Sequence, residues 1–108
     1  MKVDLTPTAR TRLREITIYL VSENPFAAEK MLRTIDRSID RLASFPRLGH
    51  PVPEFPDMQL RQLIVHPYRI FFVVYEAQKT VWVVDVWHGA QIPSRPKLPT
   101  VEPESAGR

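Results

Sequence analysis

The spacing of hydrophobic and polar residues changes once along this chain, from a helical period in the first half to a strand period in the second. The strand period covers three runs of β-branched and aromatic residues, Leu60–Val65, Arg69–Tyr75 and Thr80–His88. Such residues fit a pleated, half-buried surface. The turns between the runs, at His66-Pro67 and at residues 76–79, are too short for a parallel return. The pattern therefore predicts a three-stranded antiparallel meander.

Two helices are predicted before the meander, and each begins with a capping residue followed by proline. Thr6-Pro7 starts the first helix, which ends near Glu23, and Asn24-Pro25 starts the second, which ends at Phe45-Pro46. Each helix has one apolar stripe at spacings of three and four residues, so each buries one side. Alternating apolar residues in Met1–Leu5 predict an edge strand. The order β-α-α-β-β-β gives an α+β fold, with a helical hairpin packed on an antiparallel sheet.

Two proline-rich segments lie outside these elements. Residues 46–56 hold four prolines and a glycine, which predicts a rigid, irregular connector between the second helix and the meander. Residues 92–108 hold four more prolines and little to bury, which predicts a flexible tail or one that orders on a partner. We therefore expect one domain over residues 1–91 and a proline-rich C-terminal tail over residues 92–108.

Both faces of the predicted sheet are apolar if Tyr75 pairs with Thr80. Arg69 and His88 are then diagonal neighbours on one face, with Phe71, Val73, Tyr75, Trp82, Val84 and Val86. The opposite face holds Ile70, Phe72, Val74, Val81, Val83 and Trp87. The helical hairpin covers only one face. If the other face were left uncovered, its apolar patch would be larger than soluble monomers usually expose. We therefore expect that a partner covers it or that the sheet curls to hide part of it.

Composition narrows the possible chemistry. The 108 residues suffice for one modest core. The absence of cysteine excludes disulfides and thiolate chemistry, and three scattered histidines argue against a metal site, so we expect no cofactor. A net charge of +3 is compatible with a nucleic acid or an acidic protein partner. No signal-peptide core and no run of about 20 apolar residues occurs, which predicts a cytoplasmic protein outside the membrane.

The chain resembles the RelE/ParE toxins of bacterial type II toxin–antitoxin systems, the plasmid stabilisation type, from Val3 to about Pro93. The resemblance is carried by the helical hairpin broken at Asn24-Pro25, by the connector FPRLGHPVPE, and by a strand pattern made of Leu60, Arg61, Tyr68-Arg69-Ile70, Tyr75, Val81, Val86 and His88. It implies a growth-inhibiting toxin that a co-encoded antitoxin neutralises by wrapping it. One branch of the family consists of ribosome-dependent mRNA endoribonucleases, and the other poisons DNA gyrase.

The resemblance also implies candidate catalytic residues. Arg69 matches an arginine that the ribonucleases use at the scissile phosphate, Arg61 lies near the position of a catalytic lysine, and His88 stands where some members place an acid–base histidine. A guanidinium binds phosphate bidentately, and an imidazole with a pKa of about 6.5 can donate a proton. The alternatives are an Arg69 satisfied by a carboxylate and a His88 that makes a capping hydrogen bond at a strand end.

Departures from the ribonuclease pattern favour the gyrase-poison branch, with mRNA cleavage as the alternative. The predicted strand Leu60–Val65 has no lysine pair, and no Arg or Tyr cluster directly follows His88. Arg61 depends on the turn at His66-Pro67: a two-residue loop places it on the Asp85 face, where an ion pair is favoured, and a three-residue loop places it beside Arg69.

Partner binding is predicted on the exposed part of the sheet. We expect the antitoxin or the target to contact four residues, Phe71, Val73, Tyr75 and Trp82. The toxin would then form a hetero-oligomer with its antitoxin. A second alternative is a non-toxic protein-binding module that uses the same face as a dimer interface.

Overall fold

The computed structural model describes residues 1–100 as a helical hairpin packed on a sheet. The elements are β1 (Lys2–Leu5), α1 (Pro7–Glu23), α2 (Pro25–Asp40), β2 (His50–Pro51), β3 (Arg61–Val65), β4 (Tyr68–Tyr75) and β5 (Thr80–His88). Within these residues the sheet has five strands in the order β1-β5-β4-β3-β2, with β1 parallel to β5 and the other pairs antiparallel. The predicted α+β class, edge strand, hairpin and meander are confirmed. The expectation for the last part of the tail, residues 101–108, lies outside the described residues.

Both helices begin at the predicted caps. The Thr6 side chain accepts a hydrogen bond from the backbone N–H of Ala9, and the Asn24 side chain accepts two from the start of α2. The second helix ends earlier than predicted, because a short 3₁₀ turn at Arg41–Ala43 follows Asp40. Such a tighter turn is common where an α-helix runs out. No helix within residues 1–100 is long and apolar enough to cross a membrane.

The two helices cover one face of the sheet, which we call the helical face. Its core joins α1 and α2 to side chains from β3, β4 and β5, and the buried members are Ala9, Ile35, Ile39, Leu42, Leu63, Val65, Tyr68, Ile70, Phe72, Val81, Val83 and Val86. Apolar residues at helical spacing meet apolar residues at strand spacing, so both periods of the sequence are used in one core.

The opposite face of the sheet, which we call the second face, has its own smaller core. It consists of Val52, Leu60, Phe71, Val73 and Val84, with Phe55, Met58, Tyr75, Trp82 and Trp87 packed around them. Val52 and Leu60 belong to the connector and its junction with β3. Further along the chain, Pro93 and Pro96 are buried, and the Tyr75 hydroxyl donates a hydrogen bond of 2.6 Å to the Pro99 carbonyl. The chain therefore covers this face with its own proline-rich segments, an outcome that neither sequence alternative included.

A β-bulge divides β5 into two parts. Tyr75 pairs with Thr80 as predicted, but Phe72 pairs with Val83 while Phe71 pairs with Asp85, so Val84 is an extra residue. An extra residue reverses the alternation of side chains beyond it. The predicted faces of three residues were therefore wrong: Val86 and His88 lie on the helical side, and Trp87 lies on the second face.

Candidate functional site

Arg69 lies on the second face near the start of β4, where its guanidinium is held by other side chains. Its two terminal nitrogens donate to the two carboxylate oxygens of Glu54, both at 2.8 Å, and its Nε donates to Gln62 Oε1 at 2.8 Å. The guanidinium carbon also lies 5.0 Å from the centroid of the Phe71 ring. The hydrogen bond from Arg69 holds the pKa of the Glu54 carboxyl below its usual value. Arg69 thus fastens the connector to the sheet.

His88 lies on the helical side of the sheet, so the prediction that Arg69 and His88 are diagonal neighbours on one face was wrong. Its ring meets the Tyr68 ring edge to face at a centroid distance of 5.7 Å. The N–H of Ala90 donates to His88 Nδ1 at 3.1 Å, which is a capping contact at the end of the strand. His88 also lines an open groove of about 570 Å³ together with Ile16, Tyr19, Leu20, Met31 and other residues. One ring nitrogen is therefore committed to the turn.

Arg61 stands opposite Phe72 of the helical face, but its predicted ion pair with Asp85 is wrong. Val65 pairs with Tyr68, so the turn has the two-residue length, but the Arg61 guanidinium donates to three backbone carbonyls of the connector, those of Arg47, Leu48 and Gly49. The bulge had already moved Asp85 out of the expected register. Arg61 is consequently a brace for the turn between α2 and β2.

Asp85 forms an ion pair with Arg12 of the first helix. Arg12 Nε donates to Asp85 Oδ1 at 3.0 Å, and the guanidinium carbon lies 4.7 Å from the centroid of the Trp87 ring. The Asp85 side chain is 4% exposed and that of Arg12 is 38% exposed. The need for a partner was evident from a lone acid in an apolar strand, but the sequence offered several arginines and no register to choose among them.

The three catalytic candidates do not converge. Arg69 points to the connector on the second face, His88 lies against Tyr68 on the helical side, and Arg61 binds carbonyls beside β2. Sequence reasoning missed Glu54 and Gln62 as partners of Arg69, because an irregular connector carries no period that would place Glu54 beside a strand. Within residues 1–100, no group of three or more His, Cys, Asp or Glu is placed to hold a metal ion.

The four residues predicted to bind a partner differ in exposure. Phe71 and Val73 are buried beneath the connector, and Tyr75 and Trp82 are half-buried at the surface. Apolar side chains that are more exposed lie where α1 meets α2: Ile18, Tyr19, Val21 and Phe26, the last of them 90% exposed. The sequence analysis did not single these out, because it treated the hairpin only as a cover for the sheet.

Comparison with solved structures finds the same fold in toxin–antitoxin assemblies. The chromosomal ParDE toxin–antitoxin system from P. aeruginosa matches with a TM-score of 0.67 and 20% identity, covering 82% of this chain and 95% of that one. The toxin–antitoxin complex RelBE2 from Mycobacterium tuberculosis matches with a TM-score of 0.57 and 20% identity, covering 83% and 92%. No curated protein sequence matches the chain.

The sequence itself matches a family model. The model describes the ParE toxin of the type II toxin–antitoxin system parDE, and the match covers residues 3–93, which include every helix and strand described above except the first residue of β1. This confirms the resemblance drawn from the hairpin, the connector and the strand pattern. The chain belongs to the ParE toxins of type II toxin–antitoxin systems.

Proposed function

We propose that this toxin arrests growth by poisoning DNA gyrase in the cytoplasm, and that a cognate antitoxin neutralises it by direct binding. The observation that carries the choice of gyrase over mRNA is the separation of Arg69, His88 and Arg61 over two faces of the sheet. An mRNA endoribonuclease has to place cations and proton donors around one phosphate. The separation of the candidate groups supports the branch that needs no such cluster.

The bonding of each candidate supports the same choice. Arg69 already has a carboxylate as its bidentate partner, so a phosphate would first have to displace Glu54. His88 Nδ1 already accepts a hydrogen bond from the turn, and the imidazole lies on the face of the sheet opposite the Arg69 guanidinium. Roles as structural braces therefore account for these residues without a reaction.

A protein partner is supported by exposed apolar surface. The tip of the helical hairpin presents Ile18, Val21 and Phe26 to solvent, and hydrophobic surface of this kind marks contact sites between proteins. Tyr75 and Trp82 offer a second, half-buried contact area on the other side of the molecule. The two structural neighbours are described as a toxin–antitoxin system and a toxin–antitoxin complex, which supports an antitoxin as one such partner.

The proposal is tested with purified protein in two parallel assays, gyrase supercoiling and ribosome-dependent cleavage of a reporter mRNA. We expect inhibition of supercoiling and an intact mRNA. Arg69→Ala and Glu54→Ala form a matched pair, because each breaks the same ion pair from one side. If Arg69 only braces the connector, both variants should change gyrase inhibition equally. Cleavage lost in Arg69→Ala and retained in Glu54→Ala would instead identify a ribonuclease.

Expression in a bacterial host tests the toxin against the alternative of a harmless binding module. We expect growth to stop when the gene is induced alone and to resume when a cognate antitoxin is expressed with it. Phe26→Ser is a suitable companion variant, because its side chain is almost fully exposed and its loss should leave the fold intact. Normal growth with confirmed folded protein would favour the binding module.

A further inference from the structure

The segment that follows the last strand carries its prolines at every third position. Pro93, Pro96 and Pro99 are spaced by three residues, and the structure assigns no helix or strand to residues 92–100. Pro93 and Pro96 are buried and Pro99 is half-buried, while residues 94, 95, 97 and 98 between them are exposed. A period of three is the period of the polyproline II helix. One side of such a helix therefore faces the protein.

The sequence restricts this segment to that conformation before it docks. Proline fixes its own φ near −65°, and the residue before a proline is driven to the β or polyproline II region. Ile92, Arg95 and Leu98 each precede a proline, so between Pro93 and Pro99 only Ser94 and Lys97 are free of both restrictions. Little conformational entropy is left to lose when the segment binds.

Two contacts outside the segment hold it along the second face. Arg95 forms an ion pair with Asp57 of the connector, and the Tyr75 hydroxyl donates to the Pro99 carbonyl at the far end of β4. Three-residue steps of polyproline II carry Pro93 to Pro99 over about 19 Å. The strand from Arg69 to Tyr75 spans about 20 Å, so the segment is long enough to follow β4 for nearly its whole length.

The second face is aromatic and has hydrogen-bond donors without an acceptor. Tyr75, Trp82 and Trp87 all belong to the second face. Trp82 Nε1 and Trp87 Nε1 are buried, and neither has a hydrogen-bond acceptor among the described residues. Buried indole N–H groups usually find a partner. Polyproline II has no internal hydrogen bonds, so its carbonyls are free to accept from such donors, as in other aromatic grooves that bind proline-rich peptides.

We propose that the second face is a binding groove for proline-rich segments with proline at every third residue, and that residues 93–99 are its resident ligand. The resident segment fills the groove but leaves both indole donors unpaired, so a proline-rich segment of another protein that supplies the two acceptors displaces it. The proposal does not depend on gyrase as the target, because it is argued only from the proline-rich segment and from the second face, whose Tyr75 and Trp82 form the half-buried contact area named above.

Tryptophan fluorescence tests the groove directly, because the only two tryptophans in the sequence both lie in it. The protein is the full chain with Pro93→Ala, Pro96→Ala and Pro99→Ala combined, and the probe is a synthetic peptide of residues 92–100. We expect saturable binding that shifts the emission. The unaltered chain should bind the peptide at least about tenfold more weakly, since its own segment competes from a high effective concentration.

Matched controls separate groove binding from a general effect of the tail. Ser94→Ala with Lys97→Ala changes the same segment at its non-proline positions and should behave like the unaltered chain. A peptide with all three prolines replaced by alanine should not bind. Tyr75→Phe with Asp57→Ala, which removes both anchors and keeps the segment, should bind the probe more tightly than the unaltered chain. Absence of saturable binding in both loosened variants, with the fold intact by circular dichroism, would overturn the proposal.

Discussion

Different kinds of structure cover the two faces of the sheet. Two long amphipathic helices cover the helical face, whereas an irregular connector and a proline-rich segment cover the second face. Neighbouring residues of β4 show the contrast, since Phe72 packs under the helices and Phe71 under the connector, both 0% exposed. The hydrophobic period of a covering helix can be recognised in the sequence, whereas a covering segment without secondary structure has no such period. The hydrophobic pattern therefore predicted what covers one face of the sheet and did not predict what covers the other.

The difference has energetic consequences, because a cavity costs most where its walls cannot relax. Helices are rigid walls, held by their own hydrogen bonds, while loop segments can settle into vacated space. Four experiments test this contrast between the two faces, beginning with the largest expected effect.

Replacing one phenylalanine on each face compares the two covers directly. Phe72→Ala should lower the free energy of unfolding by about 3–5 kcal/mol, and Phe71→Ala by an amount at the lower end, about 3 kcal/mol. Urea unfolding of both variants against the unaltered protein gives the two values. If Phe71→Ala lowered the free energy of unfolding as much as Phe72→Ala or more, the connector would be as rigid as the helices and the contrast would disappear.

The ion pair between Arg12 and Asp85 lies at the edge where the two faces meet. Arg12→Ala should lower the free energy of unfolding by about 1–3 kcal/mol. The loss should be smaller than for a fully buried pair, because the Arg12 side chain is 38% exposed. It should be larger than for a surface pair, because Asp85 stays buried without its cation. The matched control is Arg33→Ala, which breaks an exposed pair with Glu29 on α2 and should cost less than about 0.5 kcal/mol. Equal losses from thermal or urea unfolding would show that Asp85 is solvated.

Thr6 links the first helix to the bulge that assigns side chains to the two faces. Its hydroxyl accepts from Ala9 N–H as an N-cap and donates to the Val84 carbonyl at 3.2 Å. Thr6→Ala should cost about 1–2 kcal/mol, since it loses a cap and a buried hydrogen bond together. Asn24→Ala, which loses only a cap, should cost about 1 kcal/mol. Thr6→Ser should keep both bonds, and a large loss in that variant would point to the methyl group instead.

Acid should loosen the second face before the helical face. Arg69 lowers the pKa of Glu54 below its ordinary 4.5, so the stabilisation from this pair is complete above the unfolded pKa and is lost as the pH falls through the folded value. Glu54→Gln should therefore be less stable than the unaltered protein at neutral pH, and the difference should shrink in acid. Unfolding midpoints measured from about pH 7 down to about pH 3 follow it. A difference that persists at the lowest pH would mean that the amide, not the charge, matters.

The sequence by itself determined the elements and their order. Thr6-Pro7 and Asn24-Pro25 fixed the helix starts, short turns forced the meander to be antiparallel, and Tyr75 was placed opposite Thr80. These features depend on residues close together in the chain, where capping, proline geometry and the two periodicities act locally. The family resemblance came from the same local features, and the family match confirmed it.

Only the tertiary structure decided which residues share a face and a partner. One extra residue at Val84 separated Arg69 from His88, although every local signal in β5 was that of a regular strand. Asp85 paired with Arg12 from 73 positions away, and Glu54 reached Arg69 through a connector without a period. Register shifts and long-range charge pairs depend on how elements pack, and packing is settled by the sum of many contacts instead of by any one stretch of sequence.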